Sequence, residues 1–386
     1  MKIAIPRERR PYEARVAATP ESVKKLIGLG AEVIVEKDAG AGAAIPDRAF
    51  EEAGATIAAD AAAAIGDADI VFKVQRPMTE GEGGPDEVAL MKKGGILIGL
   101  LAPLADRAQV QTYAERGVIA FSLELLPRIT RAQAMDALSS QSNLVGYKAV
   151  VDAASEFGRA FPMMMTAAGT VAPARVVVLG AGVAGLQAIA TARRLGAIVS
   201  AFDVRPGVKE EVESLGAKFI EVEMPEAESG EAAGGYAREM SEEYKRRQTE
   251  TIHETLKKQD IAICTALIPG KPAPVLITEE MVKDMKPGAV IVDLAVEQGG
   301  NCPLSEFGKV VTRHGVKIMG HANVPSRIAT DASALYARNL LTFLSLLIDE
   351  ESKQIKIDWE DEIVQATCLT RDGAVVNPAL TGGGNA

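Results

Sequence analysis

In RVVVLGAGVAG, residues 175–185, an apolar run enters the spacing Gly180-x-Gly182-x-x-Gly185 and continues into a helical pattern that lasts to residue 195. Each glycine answers a different need. Gly180 permits the tight turn, Gly182 lets the backbone approach a pyrophosphate, and Gly185 lets the helix pack close to the strand. The free N–H groups and the dipole of the following helix suit phosphate oxygens. The next apolar run ends on Asp203, 23 positions after Gly180, where a carboxylate can accept hydrogen bonds from an adenosine ribose. Strand, glycine turn, helix and acid-ended strand together make a dinucleotide-binding βαβ unit, against the plainer reading of an ordinary βα turn. A carboxylate at residue 203 repels a 2′-phosphate, so the expected nucleotide is NAD(H) rather than NADP(H). Arg205 either pairs with such a phosphate, neutralises Asp203 or stacks on adenine.

β and α patterns alternate along the whole chain. Short apolar runs at 2–5, 32–36, 69–74, 95–100 and 118–121 lead to a long helical pattern at 132–157, which holds a single glycine. Runs at 198–203, 261–265, 289–294 and 316–319 follow the glycine motif, and a second long helical pattern occupies 328–348. Such alternation implies parallel sheets. The expected fold is α/β, with two Rossmann-like, doubly wound parallel-sheet domains joined by long helices. The first is discontinuous, 1–140 plus 328–386, and the Rossmann domain is 141–327. Residues 377–386, with Pro378 and a glycine run, read as a flexible linker.

Ligands of such sheets sit beyond the carboxyl ends of the strands. That rule nominates Val183, Val204, Gly234, Ala266, Leu267 and Asn323. The phrase DLAVEQGG at 293–300 closes a strand in the same way, but its acids equally suit a helix cap. Residues 224–248, MPEAESGEAAGGYAREMSEEYKRRQ, interrupt the pattern with acidic and small residues. They read as a solvated insertion or as a lid whose Tyr236 closes over the nucleotide.

Composition removes several classes. The chain has 386 residues, a net charge of −10, 47% hydrophobic residues and only 4% aromatic ones, which argues against nucleic acid and against adsorption to an anionic membrane. Cys264, Cys302 and Cys368 have no paired spacing, and His253, His314 and His321 are scattered, so neither a disulfide framework nor a metal site is expected. A reducing cytosol fits. The N-terminus lacks a signal-peptide stretch, and the longest apolar runs fall well short of the ~20 residues that span a bilayer.

Four segments, IPRE at 5–8 with RVAATP at 15–20, RITRAQAMDALSSQSNLVGYKAV at 128–150, VLGAGVAGLQAIATARRLGA at 178–197 and VDLAVEQGGN at 292–301, closely resemble the NAD(H)-binding component of the proton-translocating nicotinamide nucleotide transhydrogenases. The likeness covers essentially the whole chain. It implies a separate α subunit at the cytoplasmic side of a bacterial inner membrane, with NADP(H)-binding and membrane-spanning subunits as partners. It further implies direct hydride transfer from NADH to partner-bound NADP⁺, coupled to proton translocation. The family is commonly dimeric, and the apolar helix ending at Ile348 is one candidate contributor to a contact that the sequence alone does not assign.

The resemblance places Arg128, Gln133, Asp136 and Ser139 at the reacting nicotinamide, with Ile129, Thr130 and Arg131 in the same turn. Residues 133 and 136 would share a helix face. The same Thr130-x-x-Gln133 also fits a capping box, in which Gln133 merely satisfies a backbone N–H. The chain is similar, too, to alanine dehydrogenases, where a lysine and a histidine bind substrate and move protons. Gln75 and Ala102 stand at the corresponding positions, while Arg15 is retained. Loss of both ionisable groups counts against the alanine reaction. An alanine dehydrogenase-like oxidoreductase and a noncatalytic NAD-sensing module are the alternatives.

Overall fold

The computed structural model describes residues 1–222, 241–268, 270–349 and 351–382. By internal contacts the chain falls into two units, 1–141 with 325–386, and 142–324. The first unit is built on strands β1 (Lys2–Ile5), β2 (Glu32–Glu36), β3 (Thr56–Ala58), β4 (Ile70–Gln75), β5 (Ile96–Leu100) and β6 (Ile119–Ser122). They lie in the order β3-β2-β1-β4-β5-β6, all parallel, and the sheet is extended beyond β6 by two antiparallel C-terminal strands, Cys368–Arg371 and Ala374–Val375. The order reverses between β1 and β4, the signature of double winding.

Both faces of this sheet are buried, which explains why its strands read as continuous apolar runs rather than alternating ones. Ile3, Ile5, Val33 and Val35 enter one core, and Ala4, Val71 and Leu97 enter the other. The helix Ala329–Leu344 lays Tyr336, Leu340, Phe343 and Leu344 into the first of these cores. It is therefore internal to the unit, and Leu347 and Ile348 beyond it are buried as well. Within the stretch read as a linker, residues 377–381 are anchored rather than free. Asn377 is buried, donates to the Ala366 and Cys368 carbonyls and caps the Pro378–Thr381 turn.

The second unit begins with an isolated hairpin, β7 (Met164–Thr166) and β8 (Gly169–Val171), paired only with itself. Its main sheet comprises β9 (Arg175–Leu179), β10 (Ile198–Phe202), β11 (Lys218–Phe219), β12 (Ile261–Cys264), β13 (Val290–Asp293), β14 (Lys309–Arg313) and β15 (Val316–Gly320). The order is β11-β10-β9-β12-β13-β15-β14, parallel throughout except for β14 on the edge. Alternate residues again feed two cores: Val176, Val178, Ile261 and Ile263 on one face, Val177, Leu179, Ala262 and Cys264 on the other.

Candidate functional site

In the second unit β9 runs into the glycine turn and the Val183–Arg194 helix. Gly180 has φ +104°, and a side chain there would place its Cβ 2.5 Å from Thr265 Oγ1. At Gly185 the added Cβ would stand 1.9 Å from the Gly180 carbonyl oxygen, so strand and helix meet backbone to backbone. Gly182 differs. It is the helix N-cap, has no side-chain capping bond, and a Cβ on it would meet nothing within 4 Å. The turn thus leaves open space in front of unclaimed first-turn amides, the feature that a pyrophosphate requires. A further close approach, unread in the sequence, supports the same helix: a Cβ on Gly146 would lie 2.0 Å from the Ala184 carbonyl oxygen.

Asp203 follows β10 and turns its carboxylate back to the glycine turn. It accepts the Ala181 N–H at 2.8 Å, and from Arg205 it accepts the backbone N–H at 2.8 Å and two guanidinium N–H bonds at 3.0 Å. Arg205 therefore neutralises Asp203, one of its three expected roles. These bonds use about the full acceptor capacity of a carboxylate, so ribose hydroxyls compete with the guanidinium for it. The residues fit a dinucleotide: open turn, unclaimed helix amides and an acid beside them.

Around the turn, Val183 and Leu267 are 43% and 42% exposed, Ala266 is half-buried, and Val204 packs against the core below. Asp293 is not available to a ligand. It is buried and accepts the N–H groups of Ala295, Asn301 and Cys302 and the Ser305 hydroxyl, which settles its choice of roles in favour of holding the 293–305 turn. Glu297 accepts the N–H of Asn323, whose φ is +44°. Gly234 and Tyr236 lie outside the described residues.

In the first unit the helical reading of 132–136 is corrected. Thr130–Met135 is a 3₁₀ turn, and the α-helix is Ala137–Glu156. Asp136 ends the turn and caps the helix, accepting the Ser139 N–H at 2.9 Å and its hydroxyl at 2.5 Å. Gln133 lies within that turn and Asp136 at its C-terminal cap, so the two are not part of the α-helix body, and no side-chain capping bond forms at the start of the turn. Gln133, Arg128 and Thr130 are exposed, and Ile129 is half-buried. Arg131 pairs with Asp361 and Glu362, and Asn339 Nδ2 donates to the Ala134 carbonyl, so the turn is tied down on two sides.

The same unit holds the positions that bear on alanine chemistry. Gln75 Nε2 donates to Glu13 Oε2, and Glu13 makes a two-pronged pair with the buried Arg15 guanidinium, at 2.8 and 2.7 Å. Burial opposes the Glu13 charge, but bonds from Arg15, Ser326 and Gln75 prevail and bring its pKa down to about 2. Ala102 sits at φ +48° with its N–H on Glu124. Neither Gln75 nor Ala102 can take or give a proton near neutral pH.

Among the described residues no helix is long and apolar enough to cross a membrane, and no group of three potential metal ligands occurs. Residues 4–145 match the family described as alanine dehydrogenase/PNT, N-terminal domain, and residues 149–378 match its C-terminal domain. The chain is 64% identical over 384 residues to the first portion of the split NAD(P) transhydrogenase subunit alpha of Rhodospirillum rubrum, each chain being covered completely. A solved transhydrogenase from Sinorhizobium meliloti superposes with a TM-score of 0.83 at 49% identity, over 98% of this chain and 100% of that one. A solved L-alanine dehydrogenase gives 0.80 at 25% identity, over 99% and 98%. Matched in both halves, the chain belongs to the alanine dehydrogenase/PNT family and is closer in sequence to these transhydrogenases than to the alanine dehydrogenase.

Proposed function

We propose that this chain is the NAD(H)-binding component of a proton-translocating NAD(P) transhydrogenase, in which hydride passes directly from NADH to NADP⁺ on a partner subunit. The observation that carries the reading is the pair Gln75 and Ala102: a complete dinucleotide turn accompanies positions that have lost the proton-handling side chains of an amino-acid dehydrogenase. Bound NADH supplies the hydride. Its passage between nicotinamides moves no proton at the reacting carbon, so the protein has to align and to exclude water.

Each group then has a defined task. The turn at Gly180, Gly182 and Gly185, with Val183 at the helix start, holds the pyrophosphate, and Asp203 takes the ribose hydroxyls and selects against a 2′-phosphate. Val204, Ala266 and Leu267 offer apolar contact. Arg128 orients the carboxamide or ribose, with Ile129 and Thr130 beside it. Gln133 bridges toward the incoming nucleotide, and Asp136 and Ser139 keep the turn in shape. Arg131 serves the turn through its pairing with Asp361.

The partners are the NADP(H)-binding and membrane-spanning subunits, which carry proton translocation and keep this chain at the cytoplasmic face. A homodimer is supported by the β7–β8 hairpin rather than by the helix ending near Ile348. Met163, Met164 and Met165 are 58%, 46% and 70% exposed there, and a lone two-stranded hairpin with apolar flanks is marginal in water without something to cover it. Sedimentation at twice the chain mass is the expected outcome.

The deciding experiment mixes the chain with the NADP⁺-loaded partner in a stopped-flow instrument and follows NADH oxidation. Rapid oxidation is expected only with the partner present, NADPH should bind at least about tenfold more weakly than NADH in equilibrium titration, and pyruvate with ammonia should give no turnover. Turnover on pyruvate would turn the reading to an amino-acid dehydrogenase. Nucleotide binding without transfer under either condition would leave a sensing module.

A further inference from the structure

The carboxamide of Asn301 is completely buried, and its three hydrogen bonds all go to main chain of the segment that follows β12. Oδ1 accepts the Ala266 N–H at 3.2 Å, and Nδ2 donates to the carbonyls of Ala266 at 2.9 Å and Pro274 at 2.8 Å. The side chain therefore pairs with Ala266 reciprocally, as a neighbouring strand would. The orientation is fixed by the network, because a reversed amide would set its oxygen against two carbonyl oxygens. The Asn301 main chain is held as firmly: its N–H goes to Asp293 and its carbonyl accepts the N–H groups of Leu276 and Ile277.

What this clamp holds is the segment that faces the glycine turn. Thr265, one residue before Ala266, donates its hydroxyl to the Gly180 carbonyl at 2.9 Å, and a Cβ on Gly180 would stand 3.2 Å from the Ala266 nitrogen. Without Asn301 the Ala266 N–H and carbonyl would lack these partners just beyond β12, and ordering them would fall to the ligand. With it, the Ala266 N–H is spent internally, and the segment offers carbon: half-buried Ala266, seated against the core, and the exposed Leu267 side chain.

We propose that Asn301 is a positioning residue for the dinucleotide, fixing Ala266 and Leu267 in advance as an apolar wall beside the glycine turn. This rests on the NAD(H) reading given above. Only a short amide can do it. Aspartate loses both donors and sets a carboxylate against two carbonyls, and glutamine is one methylene too long.

The test is Asn301→Asp in the full chain, with the NADP⁺-loaded partner for kinetics. Its KM for NADH should rise about tenfold or more, kcat should stay within about twofold, and the amides of residues 266–268 should exchange faster than those of β9 and β10. A folded variant with unaltered NADH affinity would overturn the proposal. Should that variant not fold, the native chain decides the matter: the Ala266 amide is expected to be protected before nucleotide is added, and a large gain in its protection on adding NADH would refute a preformed wall. Absence of NADH binding by the native chain would instead strike at the NAD(H) reading itself.

Discussion

Replacing Gly185 by alanine is expected to weaken NADH binding by at least about a hundredfold, a loss of roughly 2.7 kcal/mol, and to lower the melting temperature of the chain. The new Cβ would lie 1.9 Å from the carbonyl oxygen of Gly180 and 2.9 Å from its carbon, and both are backbone atoms that cannot rotate away. Helix and turn must separate, which costs about 1–3 kcal/mol or more in a close-packed core. The first-turn amides leave with the helix. Gly182→Ala gives the informative contrast, since its Cβ meets no protein atom within 4 Å and its φ of −76° suits any residue. That variant should melt like the native chain yet bind NADH more weakly, because its methyl occupies the space reserved for phosphate. Calorimetric melting and fluorescence titration of the three proteins check both statements. A Gly185→Ala chain that bound NADH within a factor of three of the native one would refute the role assigned to this turn.

The contrast between these glycines explains what was legible in the sequence. The glycine turn and the parallel strands are local or strictly patterned features: a positive φ, a close approach, and apolar runs buried on both faces. The 3₁₀ turn at Thr130–Met135 has no such mark. Its residues lack glycine and proline, so the helical pattern reads straight through, and the break comes from Asp136 capping the helix and from Asn339 drawing on the Ala134 carbonyl. Asn339 is more than two hundred residues away, beyond the reach of any window. Asn301 escapes for the same reason, as a single amide after a glycine pair has no period, and its partners lie in the segment that follows another strand. β14 and the β7–β8 hairpin are short, largely exposed and antiparallel, so burial leaves no apolar run to read. Gly146 was visible as the single glycine of its helix, but only the fold reveals that Ala184 is what it makes room for.

A second large effect concerns pH. Where the strand order of the first unit reverses, between β1 and β4, the space is filled by charge. Buried Lys73 lies 2.9 Å from Glu87 Oε2 and 3.2 Å from Glu8 Oε2, and Arg9 joins Glu87 to Glu36. Three carboxylates thus face two cations, with the Glu13–Arg15 pair and the Tyr336 hydroxyl close by. Glu8 is the least compensated. One oxygen accepts the Val74 N–H at 2.6 Å, while the other, although near Lys73, lies outside hydrogen-bonding geometry. Burial, resisted by Lys73 and reinforced by Glu13 and Glu87, raises the Glu8 pKa from 4.5 to about 7.

The folded chain therefore binds this proton more tightly than the unfolded chain does. The sign follows: the contribution to stability is complete below pH 4.5 and is lost as pH rises to about 7, a change on the order of 3 kcal/mol. Glu13, held low, acts in the opposite sense, but only under strongly acid conditions. Glu8→Gln keeps an acceptor for Val74, removes the surplus charge and cancels the pH term. Denaturant midpoints of the two chains should nearly coincide at pH 5 and diverge by pH 7.5, with the glutamine variant then more stable by about 2–3 kcal/mol. Every other titrating group is common to both, so their difference isolates Glu8. Equal losses of stability in the two chains over that interval would mean that the proton resides elsewhere, and that Lys73 alone suffices to keep Glu8 ionised in the core.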